Sequence, residues 1–193
     1  MNQKKAAGKS SLNQFGKLAF VILLFPAGLY AQKIPPTEIY GGFSDFRLKD
    51  CCQHVSLWGW QAGASSFIYK NLAATADFGT QYKNVGDYTY KQYEFLFGPQ
   101  VNIRREGFTG FGHVLFGAMH FNCGGLPACL SNTGPMLGFG GGIDVPLPRS
   151  SRVALRLPQI DWLAARLDGT WHADNLRVAL GVVYKLGRVR PHL

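Results

Sequence analysis

The chain has 193 residues, with 24 glycines, 13% aromatic and 16% charged residues, and a formal net charge of +9 at pH 7. This length is about that of one domain, and such a glycine-rich, aromatic-rich and charge-poor composition suits a twisted sheet better than a helical bundle. No basic helix or stripe interleaved with aromatic residues is present, so the composition does not favour a nucleic-acid partner.

Residues 1–31 have the organisation of a secretory signal peptide. Four lysines and no acid lie in this segment, and an apolar run from Leu18 to Leu29 is followed by a candidate cleavage point after Ala31. The rival interpretation is an uncleaved membrane anchor, but the run is shorter than the ~20 residues that a spanning helix needs. We therefore expect export and a mature chain of net charge +5, whose cysteines can be oxidised.

From Gln32 onward, hydrophobic alternation and turn signals predict eight β-strands. They lie near Glu38–Phe46, Val55–Ile68, Leu72–Tyr82, Tyr90–Ile103, Phe108–Phe121, Thr133–Leu147, Arg152–Leu163 and Asn175–Leu186. In the last strand the even-numbered positions are apolar or aromatic, whereas the odd-numbered positions include Arg177 and Lys185. One oily face and one mixed face are typical of a strand that meets lipid on one side and a polar interior on the other.

The links between the predicted strands alternate in length. Short links fall at 69–71, 104–107 and 148–151, and longer ones at 47–54, 83–89, 122–132 and 164–174. Outer-membrane barrels show tight periplasmic turns and longer outer loops, with both termini in the periplasm. The pattern predicts an all-β fold, an eight-stranded antiparallel up-and-down transmembrane β-barrel, with a bulge or interrupted ladder at Pro158.

The run E-I-Y-G-G-F-S at 38–44, the eight alternating strands and the closing L-R-V-A-L-G-V-V-Y-K-L-G at 176–187 resemble the small outer-membrane barrels of the OmpA and OmpX type, often described as porin-like. The resemblance covers the mature chain and implies contact with outer-membrane lipid and assembly by the barrel-assembly machinery. It departs from the pattern at the end, where residues 188–193 follow the last strand and no aromatic residue closes the chain. We expect a signal peptide at 1–31, a barrel at 32–187, a short tail at 188–193, and no room for a peptidoglycan-binding domain.

Eight tilted strands enclose an interior that side chains just fill, so a wide pore is not expected. The alternation points three acids and three bases into this lumen: Asp77, Glu94, Asp144, Arg156, Arg177 and Lys185. We interpret them as an ion-pair network that fixes register, because an isolated buried charge is costly. The alternative is a narrow channel, transporter or receptor for a small hydrophobic or ionic ligand.

The four cysteines lie in the first and third long links. They are Cys51, Cys52, Cys123 and Cys129. Disulfides within the third link or between the two links are compatible with export, and strain in an adjacent pair favours Cys123–Cys129 with the other pairing open. A zinc site using His54 or His120 matches no familiar ligand spacing, so no metal or cofactor is predicted.

Basic residues gather at the predicted periplasmic end. This basic rim consists of Lys70, Arg104, Arg105, Arg149, Arg152, Arg188 and Arg190. Only Glu38 and Glu106 are nearby acids, so we expect the rim to attract anionic lipid headgroups. Tyrosine and tryptophan residues near the strand ends suit the two membrane interfaces.

Signals for catalysis are weak. The glycine-rich segment 138–143 continues an extended segment where a dinucleotide loop would open a helix. Residue types suited to acyl transfer are present at Ser65, Ser66, His113, His120 and Asp161, but no spacing places a nucleophile beside a base. We predict a non-enzymatic barrel with a structural or surface-interaction role through its loops. A soluble lipocalin-type barrel, with the apolar face turned inward, is a further alternative.

Overall fold

The computed structural model describes residues 37–50, 53–85, 88–124, 131–167 and 169–187, with side chains at 49–50, 53–55, 85, 88 and 123 excluded. These residues form eight β-strands. They are β1 (Thr37–Asp50), β2 (Gln53–Phe67), β3 (Leu72–Val85), β4 (Tyr88–Arg105), β5 (Phe108–Gly124), β6 (Asn132–Pro146), β7 (Val153–Leu167) and β8 (Thr170–Leu186). Within these ranges there is no helix of the length and apolarity that crossing a membrane requires.

The strands close into a barrel in which each is antiparallel to its neighbours in sequence. β1 completes the ring by pairing with β8, from Thr37 opposite Leu186 to Arg47 opposite Leu176. Closure pairs the backbone of every strand on both sides and leaves no free sheet edge, as hydrocarbon surroundings demand. The predicted fold class is confirmed.

The outer face of the barrel is apolar. On β4, Tyr93, Phe95, Phe97, Val101 and Ile103 point outward with 40–58% of their surface exposed. At a rise of ~3.3 Å per residue and a tilt of ~40°, the ten residue steps from Tyr93 to Ile103 cover about 25 Å along the barrel axis, the height of a lipid-facing band. The soluble alternative is wrong, since it requires this face to lie inside.

The two ends of the barrel differ in their links. The terminal end carries Thr37, Leu186 and the links 68–71, 106–107 and 147–152, and the loop end carries the links 51–52, 86–87, 125–131 and 168–169. The predicted contrast in link length is wrong, because β1, β3 and β7 run to Asp50, Val85 and Leu167 and leave only two residues before the next strand. The polar residues near these strand ends indicate that the strands continue beyond the apolar band. Backbone hydrogen bonds between neighbouring strands still stabilise them at that level.

The predicted irregularity at Pro158 is a bulge. Arg156 pairs with Gly181 and Gln159 with Ala179, so β7 has one more residue than β8 between these pairs. Proline lacks a backbone N–H and is tolerated at a bulge. The extra residue reverses the alternation of β7, so that Arg156 and Asp161 both face the lumen and are both buried.

Candidate functional site

The centre of the lumen is the fully buried guanidinium of Arg177 on β8. Its Nη1 donates to Asp77 Oδ1 at 2.9 Å and to Glu94 Oε1 at 2.6 Å. Its Nε and Nη2 both donate to Asp161 Oδ2, at 2.9 and 2.6 Å. One side chain on β8 therefore ties together carboxylates from β3, β4 and β7, and each of its three nitrogens is engaged.

The carboxylates around Arg177 have further partners on other strands. The Tyr40 hydroxyl on β1 donates to Asp77 Oδ2 at 2.6 Å. The His113 Nε2 on β5 lies 2.8 Å from Asp161 Oδ1, and Gln159 Nε2 donates to Asp161 Oδ2 at 2.7 Å. Asp161 is thus the most extensively hydrogen-bonded of the three acids, which offsets part of the cost of burying its charge.

A second ion pair lies nearer the terminal end. Arg156 donates from Nε and Nη2 to the two carboxylate oxygens of Asp144, at 2.8 and 3.0 Å. The guanidinium carbon of Arg156 lies 4.2 Å from the ring centroid of Tyr40 and 4.0 Å from that of Phe111. This two-pronged, ring-stacked geometry is one that arginine makes and lysine does not.

Gln159 connects the ion pairs around Arg177 and Arg156, and through Gln61 it also connects them to β2. Its Oε1 accepts from Gln61 Nε2 on β2 at 3.1 Å and from Arg156 Nη1 at 3.2 Å. The resulting central network has members on all eight strands. It comprises Tyr40, Gln61, Asp77, Glu94, His113, Asp144, Arg156, Gln159, Asp161 and Arg177. Such a network penalises any slip in strand register, because a slip breaks several buried contacts at once.

The structure brings together five of the six charged residues that the alternation placed in the lumen. Asp77 and Glu94 meet Arg177, and Asp144 meets Arg156. Lys185 is on the inner face but lies at the terminal mouth, opposite Glu38 in register, so the expectation that it belongs to one ion-pair network with the central acids is wrong. It lies eight residue steps from Arg177, roughly 26 Å along β8 at ~3.3 Å per residue.

Asp161 is the acidic member of the network that the alternation did not identify. Counted from Arg156 in a regular strand, Asp161 would point to lipid, and only the bulge at Pro158 turns it inward. The proline was the available signal, but it did not specify how many residues the bulge adds.

Toward the loop end, the lumen is filled by an apolar layer. Its members are Phe46, Leu96, Leu115, Met119, Met136, Leu163 and Ala165, none more than 1% exposed. Leu48 and Leu167, near the last paired residues of β1 and β7, pack against this layer. Sequence reasoning assigned the inner face to polar groups and missed the layer, although inward positions occupied by Leu96 and Met119 carried the signal.

The polar groups beside the apolar layer retain unused hydrogen-bonding capacity. Gln81 Nε2 donates to Ser44 Oγ at 2.8 Å and to Glu94 Oε1 at 3.1 Å. Glu94 Oε2, Gln81 Oε1 and both amide atoms of Gln92 are buried and have no partner among the described residues. These atoms could still exchange hydrogen bonds with a small polar molecule.

The described members of the basic rim lie at the terminal end. Lys70, Arg105, Arg149 and Arg152 are exposed. Arg104 is half-buried, donates to the Lys70 carbonyl at 2.6 Å and stacks over the Phe67 ring at 4.5 Å. Arg188 and Arg190 lie outside the described residues.

The predicted disulfides remain predictions. Cys51, Cys52 and Cys129 lie outside the described residues. For Cys123 only the backbone is described, and it lies in β5 opposite Tyr90 of β4.

The residue types suited to acyl transfer are engaged in separate contacts. Ser65 Oγ bonds to the hydroxyl of Thr75 at 2.8 Å and His120 Nδ1 to that of Thr133 at 2.7 Å, whereas His113 pairs with Asp161. The glycine-rich segment 138–143 is extended in β6. In the described part of the chain, no group of three or more His, Cys, Asp or Glu side chains is arranged to hold a metal ion.

No protein-family model matches the chain, and no curated protein matches it in sequence. Solved structures do match. Neisserial surface protein A has a TM-score of 0.65 at 10% identity, covering 78% of this chain and 97% of that chain. Ail, the attachment invasion locus protein of Yersinia pestis, has 0.58 at 16%, covering 80% and 100%. The N-terminal β-barrel domain of Pseudomonas aeruginosa OprF has 0.54 at 13%, covering 80% and 100%.

The barrel therefore has the fold of the small eight-stranded outer-membrane proteins. Within that class, it is a barrel whose lumen is spanned by a buried acid–base network and filled toward the loop end by apolar side chains.

Proposed function

We propose that this chain is an exported outer-membrane protein with a structural or surface-interaction role, whose barrel does not conduct. The observation that carries the proposal is the combination of a lipid-facing apolar wall with a lumen occupied by its own buried side chains. A wall of this kind is stable only in hydrocarbon, since the exposed apolar area in water would drive aggregation.

The proposed location is the bacterial outer membrane. Its support is the closed barrel, the similarity of fold to outer-membrane proteins and the signal-peptide pattern at residues 1–31. Insertion would then depend on the barrel-assembly machinery, and lipid would be the first partner. The loop end would then face the outside, where the connections between strands commonly offer a contact surface for an extracellular ligand or surface partner.

The closed lumen argues against the alternative of a narrow channel or transporter. An ion crossing the barrel would have to displace the apolar layer and separate the charges around Arg177, whose side chain is fully buried. A small-ligand site is favoured by the amide and carboxylate atoms of Gln81, Gln92 and Glu94 that have no partner among the described residues.

Two measurements test the proposal. The full chain, expressed in a bacterium with an outer membrane, should fractionate with that membrane, lose residues 1–31 and migrate faster on a denaturing gel before boiling than after it. The purified barrel should then show no steady single-channel conductance in planar bilayers. Recovery in a soluble fraction would contradict the location, and stable conductance steps would favour the channel alternative.

A further inference from the structure

The terminal end of the barrel carries an unequal balance of charge. Five described members of the basic rim lie there, on the links or strand ends, whereas Glu38 and Glu106 are the acids of the same end. Glu38 is buried, with 5% of its surface exposed, so Glu106 is the acid that shares the exposed surface with these bases. The net field at this end is therefore positive and attracts anions.

Within the rim, the β2–β3 link and the adjoining end of β4 are joined into one unit, which we name the Lys70–Arg105 corner (Ile68–Leu72 and Ile103–Arg105). Arg104 donates to the Lys70 carbonyl at 2.6 Å, and the Asn102 N–H donates to the Asn71 carbonyl at 2.8 Å. These contacts hold the β2–β3 link against the end of β4. Arg104 is committed to this support, which leaves the Lys70 and Arg105 side chains, both exposed, as the available cations.

The same corner carries large apolar side chains that are unusually exposed. Ile68 and Tyr69 are 72% and 70% exposed, the highest values among the large hydrophobic residues of the described chain. Next to them, on the outer wall at the terminal edge of the apolar band, Leu72, Val101 and Ile103 point outward and are 40–58% exposed. The corner therefore presents cations, an aromatic hydroxyl and apolar side chains to the region where a membrane changes from headgroup to hydrocarbon.

We propose that the Lys70–Arg105 corner binds an anionic phospholipid of the periplasmic leaflet. Lys70 and Arg105 contact the phosphate, Tyr69 lies at the headgroup level, and the acyl chains run along Leu72, Val101 and Ile103. The proposal rests on the membrane orientation given above, with the terminal end in the periplasm. It assigns to the barrel a lipid preference that a uniform apolar wall would not have.

The test uses the full mature chain folded in a zwitterionic detergent and titrated with short-chain phosphatidylglycerol, with the lipid-bound fraction read by native mass spectrometry. Short-chain phosphatidylcholine and inorganic phosphate are titrated separately. We expect binding in the order phosphatidylglycerol, phosphatidylcholine, phosphate, because the site needs both a negative headgroup and acyl chains. A basic residue near an anionic surface contributes about fivefold in affinity, so Lys70→Glu with Arg105→Glu should weaken phosphatidylglycerol binding at least about tenfold.

The matched control carries the same change in charge at the other end of the barrel, Lys91→Glu with Arg166→Glu, and should bind phosphatidylglycerol as the unchanged protein does. Heat-modifiable migration verifies that each variant is folded, and Lys70→Gln with Arg105→Gln replaces the double reversal if that variant does not fold. Equal binding of the two lipids, or equal losses in the two double variants, would overturn the proposal. Neither result would affect fractionation with the outer membrane, so failure of this inference is distinguishable from failure of the proposed function.

Discussion

Arg177 on β8 and Asp161 on β7 are joined by two hydrogen bonds, from Nε and Nη2 to Oδ2, at 2.9 and 2.6 Å. Their Cα atoms are also register partners across the β7–β8 pair. The contact depends on a bulge, because Asp161 faces the lumen only through the extra residue at Pro158. The central network and the irregularity of β7 are therefore two aspects of one arrangement, and each makes predictions about the other.

Replacing Arg177 by methionine should be the most damaging single change in the lumen. It leaves Asp77, Glu94 and Asp161 buried without their shared cation, and breaking a buried pair in this way costs about 3–5 kcal/mol. The measurement is the free energy of unfolding in urea, with the barrel in lipid vesicles. Arg47→Met is the control, because Arg47 pairs with Asp45 on the outer face with 55% of its side chain exposed and should contribute less than about 1 kcal/mol. Similar losses in the two variants would contradict the central role of Arg177.

The three acids around Arg177 should not be equivalent. Asp161 has contacts from Arg177, His113 and Gln159, whereas one oxygen of Glu94 has no partner in the described structure. We expect Asp161→Asn to cost more than about 2 kcal/mol and Glu94→Gln less than about 1 kcal/mol, because the first change disturbs several charge-assisted hydrogen bonds and the second relieves a crowded negative charge. The measurement is the free energy of unfolding of the two variants in lipid vesicles. A larger loss for Glu94→Gln than for Asp161→Asn would show that the number of contacts does not determine the cost.

Deleting Pro158 should be tolerated. β6 and β8 each have one residue fewer than β7 across the bulge, so the deletion makes both pairings regular and keeps Arg156 and Asp161 inward. Deleting Val178 from the regular part of β8 should instead abolish folding, because residues on one side of the deletion change faces. Heat-modifiable migration on a denaturing gel shows whether each deletion variant folds. If the Pro158 deletion did not fold and the Val178 deletion did, the bulge at Pro158 would not be the irregularity that determines which residues of β7 face the lumen.

Charge on the outer wall should be penalised according to its depth. Phe97 lies near the middle of the apolar band, and Ile103 lies at its terminal edge, with 43% and 58% of their surfaces exposed. An arginine costs about 2–4 kcal/mol at the bilayer midplane and about 0–1 kcal/mol near an interface. Phe97→Arg should therefore destabilise the vesicle-embedded barrel by that larger amount and Ile103→Arg scarcely at all. Equal effects of the two substitutions would place the band elsewhere.

Much of the barrel could be predicted from residue alternation. In β3, β4, β6 and β8, the apolar positions predicted to face lipid point outward, because period-two alternation in a regular strand translates directly into two faces. Link lengths could not be predicted in the same way. The largely polar segments 47–50 and 83–85 resemble loop sequence, yet backbone pairing continues through them once the strands leave the apolar band.

The amino-acid sequence by itself determined the number of strands, their antiparallel order and the faces of the regular ones, since these follow from local alternation and turn signals. Only the tertiary structure decided which buried charges meet. Arg177 and Asp77 are 100 residues apart and come within 2.9 Å because closure and stagger of the ring place β8 across the lumen from β3. Asp161 joins them through a one-residue bulge whose effect on side-chain direction becomes definite only when both neighbouring strands are in place.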